Sequence, residues 1–354
     1  MKEPAAHIQK KTFTGIDLFK LIAAVLVVWL HATETSDPVA VGIQYTFTRF
    51  CVPFFFICSG YFFHFGLNRT ADPNAYFRSY EKRLLMLFLV YNVMISGPIA
   101  IRDYIVNNPN VSPLRLIALV VRRVFVIGNG AYWYLMALIL TCAFFYVCWS
   151  RKWNGLLLFA MAAGQILQIG YSSFQGIVTS IPAWELLNRL FYTVFSWDLN
   201  FIMTGIPLFG IGWLLQQYDV VVPKAAAVMG WVLFTGLRVA EYLLPRITSN
   251  PFWAENTISI AYIPQAVMFF FMAYHCRGLP QHSRTFRQLS TFIYLSHWIV
   301  LYNVVNPIMG QVGLSVYAPW FIPVKVIVTL LICLALDWLL KRTKNNIIYH
   351  LIGG

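Results

Sequence analysis

Gly15-Ile16-Asp17-Leu18-Phe19-Lys20, then the apolar run Leu21-Ile22-Ala23-Ala24-Val25-Leu26-Val27-Val28-Trp29-Leu30, then His31, decides how this chain is read. With its flanks the run is long enough to cross hydrocarbon as a helix, which takes about 20 mainly apolar residues. An ionisable side chain in lipid is costly, so a helix carrying three of them reads as a working site before it reads as an anchor. At about 100° per residue, Asp17, Lys20 and His31 fall within a sector of roughly 60°. One stripe therefore holds an acid, a cation and an imidazole. At a rise of ~1.5 Å per residue, Lys20 and His31 lie ~16 Å apart along it, about half the hydrocarbon thickness, so a long, thin substrate can touch both.

The same character runs through the whole chain of 354 residues, of which 59% are hydrophobic, 17% aromatic and only 11% charged. A mean hydropathy of +0.66 excludes a soluble domain and a disordered chain. Windows of about 19 residues give apolar stretches near 14–33, 44–66, 83–101, 131–149, 153–172, 199–216, 224–243, 257–275, 286–305 and 319–340. The expected fold class is all-α, a polytopic transmembrane bundle of about ten helices. The period-two alternation of a barrel is absent. Residues 1–354 read as one integral membrane domain with short cytoplasmic tails at 1–13 and 342–354.

A formal net charge of +13 can point to nucleic acid, but the basic residues sit in short clusters between apolar runs and not along one soluble face. Topology explains them better. With the N-terminus inside, Lys2, Lys10, Lys11, Arg69, Arg78, Lys82, Arg83, Arg151, Lys152, Lys224, Arg277, Arg284, Arg287, Lys341, Arg342 and Lys344 are cytoplasmic, while Arg102, Arg115, Arg122, Arg123, Arg189 and Arg246 lie outside. That bias follows the positive-inside rule, and an even helix count puts both termini in the cytoplasm. A cleaved signal peptide is the bland reading of the N-terminus; Asp17, Lys20 and the lack of an A-x-A-like site argue against it. Residues 113–126, with interleaved arginines, suit an interfacial amphipathic helix on the outer surface. Residues 172–200, with Trp184, Glu185, Arg189, Trp197 and Asp198, read either as an interfacial aromatic belt or as an acceptor-binding rim. The six cysteines show no metal-type spacing and read as small packing residues.

Gly15-Ile16-Asp17-Leu18-Phe19-Lys20, ten residues and His31 resemble the first helix of the acyltransferase family 3 membrane proteins. Arg49-Phe50-Cys51-Val52-Pro53-Phe54-Phe55-Phe56 with Ser59-Gly60-Tyr61 resembles that family's second helix, and Tyr132-Trp133-Tyr134-Leu135 resembles its W-F/Y-L helix. Pro207-Leu208-Phe209 with Gly212-Trp213-Leu214 is a weaker match, and Ile293-Tyr294-Leu295-Ser296-His297 is similar to the penultimate helix with its histidine. The resemblance runs in order from about residue 13 to 341. Its wording is most similar to the branch holding the enterobacterial common antigen O-acetyltransferase and the membrane part of membrane-bound serine racemases. The resemblance implies transfer of an acyl group, most often acetyl from coenzyme A, onto a hydroxyl of a surface or lipid-linked glycan, in the bacterial cytoplasmic (inner) membrane. Many members carry paired arginines three apart at the start of the third helix. Here Arg83 is followed by Met86, with Lys82 beside it, which bears on how the phosphates of coenzyme A are held.

Acetyl transfer from a thioester to an alcohol needs a base for the hydroxyl proton and donors for the oxyanion of the tetrahedral intermediate. His31 suits the first role as a neutral imidazole, or becomes acylated and passes the group on; a packing histidine is the bland reading. Lys20 is placed to meet the phosphates of acetyl-CoA entering from inside, or to pair with Asp17 three residues earlier on its own helix. Asp17 then fixes Lys20 or helps assemble the cytoplasmic mouth. Lys82 and Arg83 are candidate phosphate contacts, and positive-inside anchoring explains them as well.

Arg49, deeper than snorkelling favours, needs a carboxylate or a substrate oxygen and is expected beside His31. Glu34 and Asp37 are candidates to pair with Arg49 or orient His31. Trp133 and Tyr134 pack the donor chain or fill the bundle. His297 is a second histidine, lining the site or structural, and His64 carries less weight. Arg238 and Glu241 read as a helix ion pair. Pro53 and Ser59-Gly60 permit a kink and a close helix approach. The alternative function is a transporter or flippase using the stripe as a translocation path, which usually brings repeated halves. No repeat, metal cluster or hydrolase triad is apparent, and no metal or nucleic-acid partner is expected. Membrane lipid is an expected partner, and self-association into a homo-oligomer stays open.

Overall fold

The structure, a computed structural model, describes residues 13–171, 181–195, 200–248, 260–276, 278 and 280–342. Lys2, Lys10, Lys11, Trp197, Asp198, Arg277, Lys344, the side chain of Arg246 and nearly all of both tails lie outside the described residues. The helices are α1 (Thr14–Ala32), α2 (Pro38–Leu67), α3 (Pro73–Asn107), α4 (Pro113–Val120), α5 (Gly130–Ser150) and α6 (Asn154–Tyr171). They continue with α7 (Pro182–Phe195), α8 (Phe201–Gln217), α9 (Lys224–Thr248), α10 (Tyr262–His275), α11 (Pro280–Gln311) and α12 (Pro319–Arg342). Among the described residues there is no strand. α1, α2, α3, α5, α9, α11 and α12 are long and apolar enough to cross a membrane, and α6 and α8 are shorter apolar helices. Each of the ten apolar windows falls on a helix, the one at 257–275 on the 14-residue α10. The protein is an all-α polytopic helical bundle.

α2 is broken at 48–50, and Pro53 is the reason. Proline offers no N–H to the carbonyl of Arg49, and its ring crowds that carbonyl, so the α-helical ladder cannot run through. The chain instead closes a turn from the Cys51 amide to the Thr48 carbonyl at 3.1 Å and resumes with the Phe54 amide on the Phe50 carbonyl at 3.0 Å. The first half of α2 is clasped to α9 by Arg238. Its side chain is fully buried, lies 3.8 Å from the Tyr45 ring centroid and donates to the Tyr45 carbonyl. Glu241 stands 3.9 Å away. The expected helix ion pair is present, and the larger contact is with α2.

Beyond the break, α2 crosses α8 with glycine on both sides. A Cβ on Gly60 would overlap the carbonyl oxygen of Phe209, and one on Gly212 would overlap that of Ile57. With so little hydrophobic drive between helices in lipid, small residues that let backbones touch supply the packing. Gly60→Ala or Gly212→Ala is therefore expected to cost about 1–3 kcal/mol or more. Thermal unfolding of the purified protein checks this.

α1 and α11 run parallel. Ser283 donates to the Asp17 carboxylate at one end, and the rings of His31 and His297 meet at the other, with centroids 5.3 Å apart. His31 follows Asp17 by the same number of residues as His297 follows Ser283, so the two helices keep register over about 21 Å. A parallel run of two spans requires an odd number of crossings between them, and the seven windows read between them meet that condition.

Candidate active site

The site is built on this parallel pair. α1, α2, α3, α5 and α11 enclose a cavity of about 550 Å³. Asp17, Lys20, Arg83, Ser283 and Arg287 line it, together with Phe55, Phe62, Leu84 and Leu135, and Ser59, Tyr134 and Tyr294. Arg287 keeps 59% of its side chain exposed, so this end reaches solvent. Asp17 accepts from the Ser283 hydroxyl and faces the Arg287 guanidinium at 3.7 Å. The intrahelical Asp17–Lys20 pair is not formed. The Lys20 ammonium lies 5.0 Å from the Phe62 ring centroid, and among the described residues no carboxylate stands within ion-pair distance of Lys20 or Arg83. Three cations and one engaged carboxylate leave this end suited to a polyanion.

Tyr134 and Tyr294, with ring centroids 5.5 Å apart, are aromatic lining of the cavity, and Tyr134 shares a 3.2 Å hydrogen bond with Ser59. Behind Tyr294, 6.0 Å between ring centroids, sits His297. His31 does not line the cavity; it lies beyond this wall, tilted against His297 and edge-on to Trp298 at 5.0 Å. The Nδ1 of His297 is 3.0 Å and 2.7 Å from the carbonyl oxygens of Ile293 and Tyr294. Carbonyls only accept, so Nδ1 carries the proton and, in the neutral ring, Nε2 holds the lone pair. That Nε2 is buried and has no hydrogen-bond partner among the described residues. Arg49 is 5.8 Å from the Tyr45 ring centroid.

The wall is fixed by the first turn of α5. Tyr294 donates to the Ala131 carbonyl at 2.6 Å, and Tyr132 donates back to the Leu295 carbonyl at 2.7 Å. Gly130, at φ 53°, has no room for a Cβ, which would overlap the Trp298 indole. Gly130→Ala is therefore expected to displace Trp298 from His31 and to lower turnover about 10-fold to 10²-fold, because small misplacements at a reacting group are costly. Donor affinity measured in parallel stays unchanged.

The remaining candidates fall elsewhere. Glu34 accepts from Asn306 at 2.9 Å and stands 3.8 Å from the fully buried Lys325, which itself donates to the Val316 carbonyl at 2.9 Å. Glu34 thus ties the end of α1 to α11 and α12. Asp37 caps α2, accepting from the Ala40 amide at 2.8 Å. Trp133 packs with Tyr134 and Phe56 and does not line the cavity. Lys82 faces away, into a groove on the far side of α3. His64 stacks on Trp213 at 4.0 Å. Arg287, Ser283, Tyr294 and Lys325 are the side chains that sequence reasoning passed over. The first three share a signal: Ser283, Arg287, Ser290, Tyr294 and His297 recur at steps of three and four, one face of a helix.

Comparison with known proteins gives two findings. A family described as an acyltransferase domain, Acyl_transf_3, matches residues 13–338. An amino-acid racemase of Enterococcus faecalis is 25% identical over 254 residues, which cover 68% of this chain and 34% of that protein. The chain spans about a third of the length of that curated relative, and the relative's printed name fits the branch of the resemblance. No solved structure is matched. The parallel polar helices, the basic cavity and the match over nearly the whole chain agree, and the chain belongs to the Acyl_transf_3 family of membrane acyltransferases.

Proposed function

We propose that the protein takes acetyl-CoA from the cytoplasm and acetylates a hydroxyl of a lipid-linked or surface glycan, in the bacterial inner membrane with both termini inside. The observation that carries this reading is the cavity with Lys20, Arg83 and Arg287 at its solvent end and the Tyr134–Tyr294 wall backed by the His31–His297 pair. The anionic end of the donor meets the three cations, and its pantetheine arm lies along Phe55, Phe62 and Leu135. The thioester then reaches the tyrosine wall, and Tyr294 swings aside so that the acceptor hydroxyl meets it from the His31 side.

In the reaction, the neutral imidazole of His31 takes the hydroxyl proton while the oxygen forms a bond to the thioester carbonyl carbon. Arg49, which the sequence leads one to expect near His31, supplies the positive charge for the oxyanion. Collapse breaks the carbon–sulfur bond, and the leaving thiolate receives the proton from the imidazolium. His297, held by the carbonyls of Ile293 and Tyr294, keeps its ring against His31 and so limits how the His31 imidazole can turn toward the acceptor.

Two measurements test the reading together. Purified protein is expected to bind labelled acetyl-CoA, and glycans from a deletion strain are expected to lack an acetyl mass that complementation restores. Absence of both favours the transporter reading, in which the tyrosine wall is a gate and no acyl donor is needed.

A further inference from the structure

Between its cations and its tyrosine wall, the cavity carries a pair of hydroxyls. The Lys20 ammonium lies 5.0 Å from the Phe62 ring centroid, and the wall begins where Phe55 meets Tyr294, with ring centroids 6.3 Å apart. Phe62 and Phe55 are two turns apart on α2, so about 10 Å of helix separates the cation from the wall. Ser59 stands between them, about 4.5 Å beyond Phe62, and its hydroxyl shares the 3.2 Å hydrogen bond with Tyr134 of α5. Both side chains line the cavity, and the Tyr134 ring is held between Phe56 at 4.5 Å and Tyr294 at 5.5 Å. Two hydroxyls carry two hydrogens, and the shared bond uses one. Among the described residues neither oxygen meets another hydrogen-bonding partner. The second hydrogen and the spare lone pairs are left for whatever fills the cavity, a donor and an acceptor side by side.

A secondary amide complements such a pair, with a carbonyl to accept and an N–H to donate. A hydrocarbon chain offers neither, and a fully ionised phosphate only accepts. With the phosphates of coenzyme A at the cations and the thioester at the wall, the segment that passes Ser59 is the pantetheine arm, which carries two secondary amides. An amide taken out of water and left unpaired is costly, and the neighbouring Phe55, Leu135 and Leu138 offer it no hydrogen bond. We propose that the Ser59–Tyr134 pair recognises one amide of this arm, and so selects pantetheine thioesters as donors over acyl phosphates and acylated lipids. The inference rests on the donor site proposed above and adds to it the part of the donor that is read.

Equilibrium binding to the purified full chain tests this. The ligands are acetyl-CoA, its analogues with one or the other arm amide replaced by an ester, and the nucleotide half of coenzyme A, which keeps every phosphate except for the arm it lacks. Tyr134→Phe and Ser59→Ala are each expected to weaken acetyl-CoA about twofold to tenfold, the worth of one uncharged hydrogen bond, and to leave the nucleotide unchanged. The double variant should lose less than the two single losses combined, because either change breaks the same pair. On the unmodified protein, an ester at one arm position should weaken binding by a similar factor, and an ester at the other should not. Equal losses for acetyl-CoA and the nucleotide in Tyr134→Phe overturn the proposal, as does an unmodified protein that tolerates both esters; the donor site survives either result. An unmodified protein that binds neither acetyl-CoA nor the nucleotide overturns both. If the variants do not fold, the two esters on the unmodified protein decide it.

Discussion

Replacing His31 with Ala is expected to lower acyl transfer by about 10²-fold to 10⁴-fold, the range a positioned general base supplies, while the amount of folded protein in the membrane stays the same. The structure argues for both halves of that result. The imidazole meets His297 and Trp298 through ring contacts and takes part in no ion pair among the described residues, so its removal leaves no buried charge unmatched. The contacts that hold this end of α1 run through other atoms: Tyr302 donates to the His31 carbonyl at 3.2 Å, and Glu34 reaches Asn306 and Lys325. The tertiary frame therefore survives, and the chemistry does not. His31→Gln keeps a hydrogen-bonding group of similar reach but cannot shuttle a proton near neutrality, so it is expected to be as inactive as the alanine variant. Rates are read as acetyl incorporated into extracted glycan per unit of membrane-inserted protein. A His31→Ala protein that retains the wild-type rate removes the imidazole from the reaction.

How much of this was legible before any coordinates depended on whether a feature is local. The α1 stripe needs only helical periodicity, and Asp17 and Lys20 line the cavity as that periodicity requires. The break in α2 follows from Pro53 acting on a carbonyl four residues back. The α11 stripe was equally periodic, yet hydropathy averaging conceals it, because Ser290 and Tyr294 barely move a window and Arg287 reads as a topological anchor. Composition cannot separate a cation that fixes orientation from one that faces a ligand. Other contacts are set by partners far along the chain. Glu34 is bound to Lys325, from the last helix, and Gly60 meets Phe209 across the bundle. Nothing near either residue announces its partner. Lys82 and Arg83 make the same point at the shortest range: adjacent residues on a helix point about 100° apart, and only the packing of α3 against α5 decides which one faces the cavity.

That contrast carries the second large effect. Lys20→Met and Arg83→Met are each expected to weaken acetyl-CoA binding by about tenfold or more, since a hydrogen bond to a charged group is worth about 1.5–3 kcal/mol. Neither cation has a carboxylate within ion-pair distance among the described residues, so the charge of each is available to the donor and not spent on the protein. Turnover at saturating donor should change far less than affinity, because both contacts form in the ground state and persist through the transfer. Raising the salt concentration should shrink the difference between wild type and either variant, as screening weakens exposed charge pairs first. If both side chains grip the same phosphate, the double variant will cost less than the two single losses combined; if they grip different phosphates, the losses add. Lys82→Met, one residue away and with its side chain in the outer groove, should leave donor affinity unchanged. Equilibrium binding of labelled acetyl-CoA to the purified variants reads all four. A Lys82→Met loss as large as that of Arg83→Met would place the donor on the lipid-facing side of α3, and the cavity between α1 and α11 would then no longer be where coenzyme A is held.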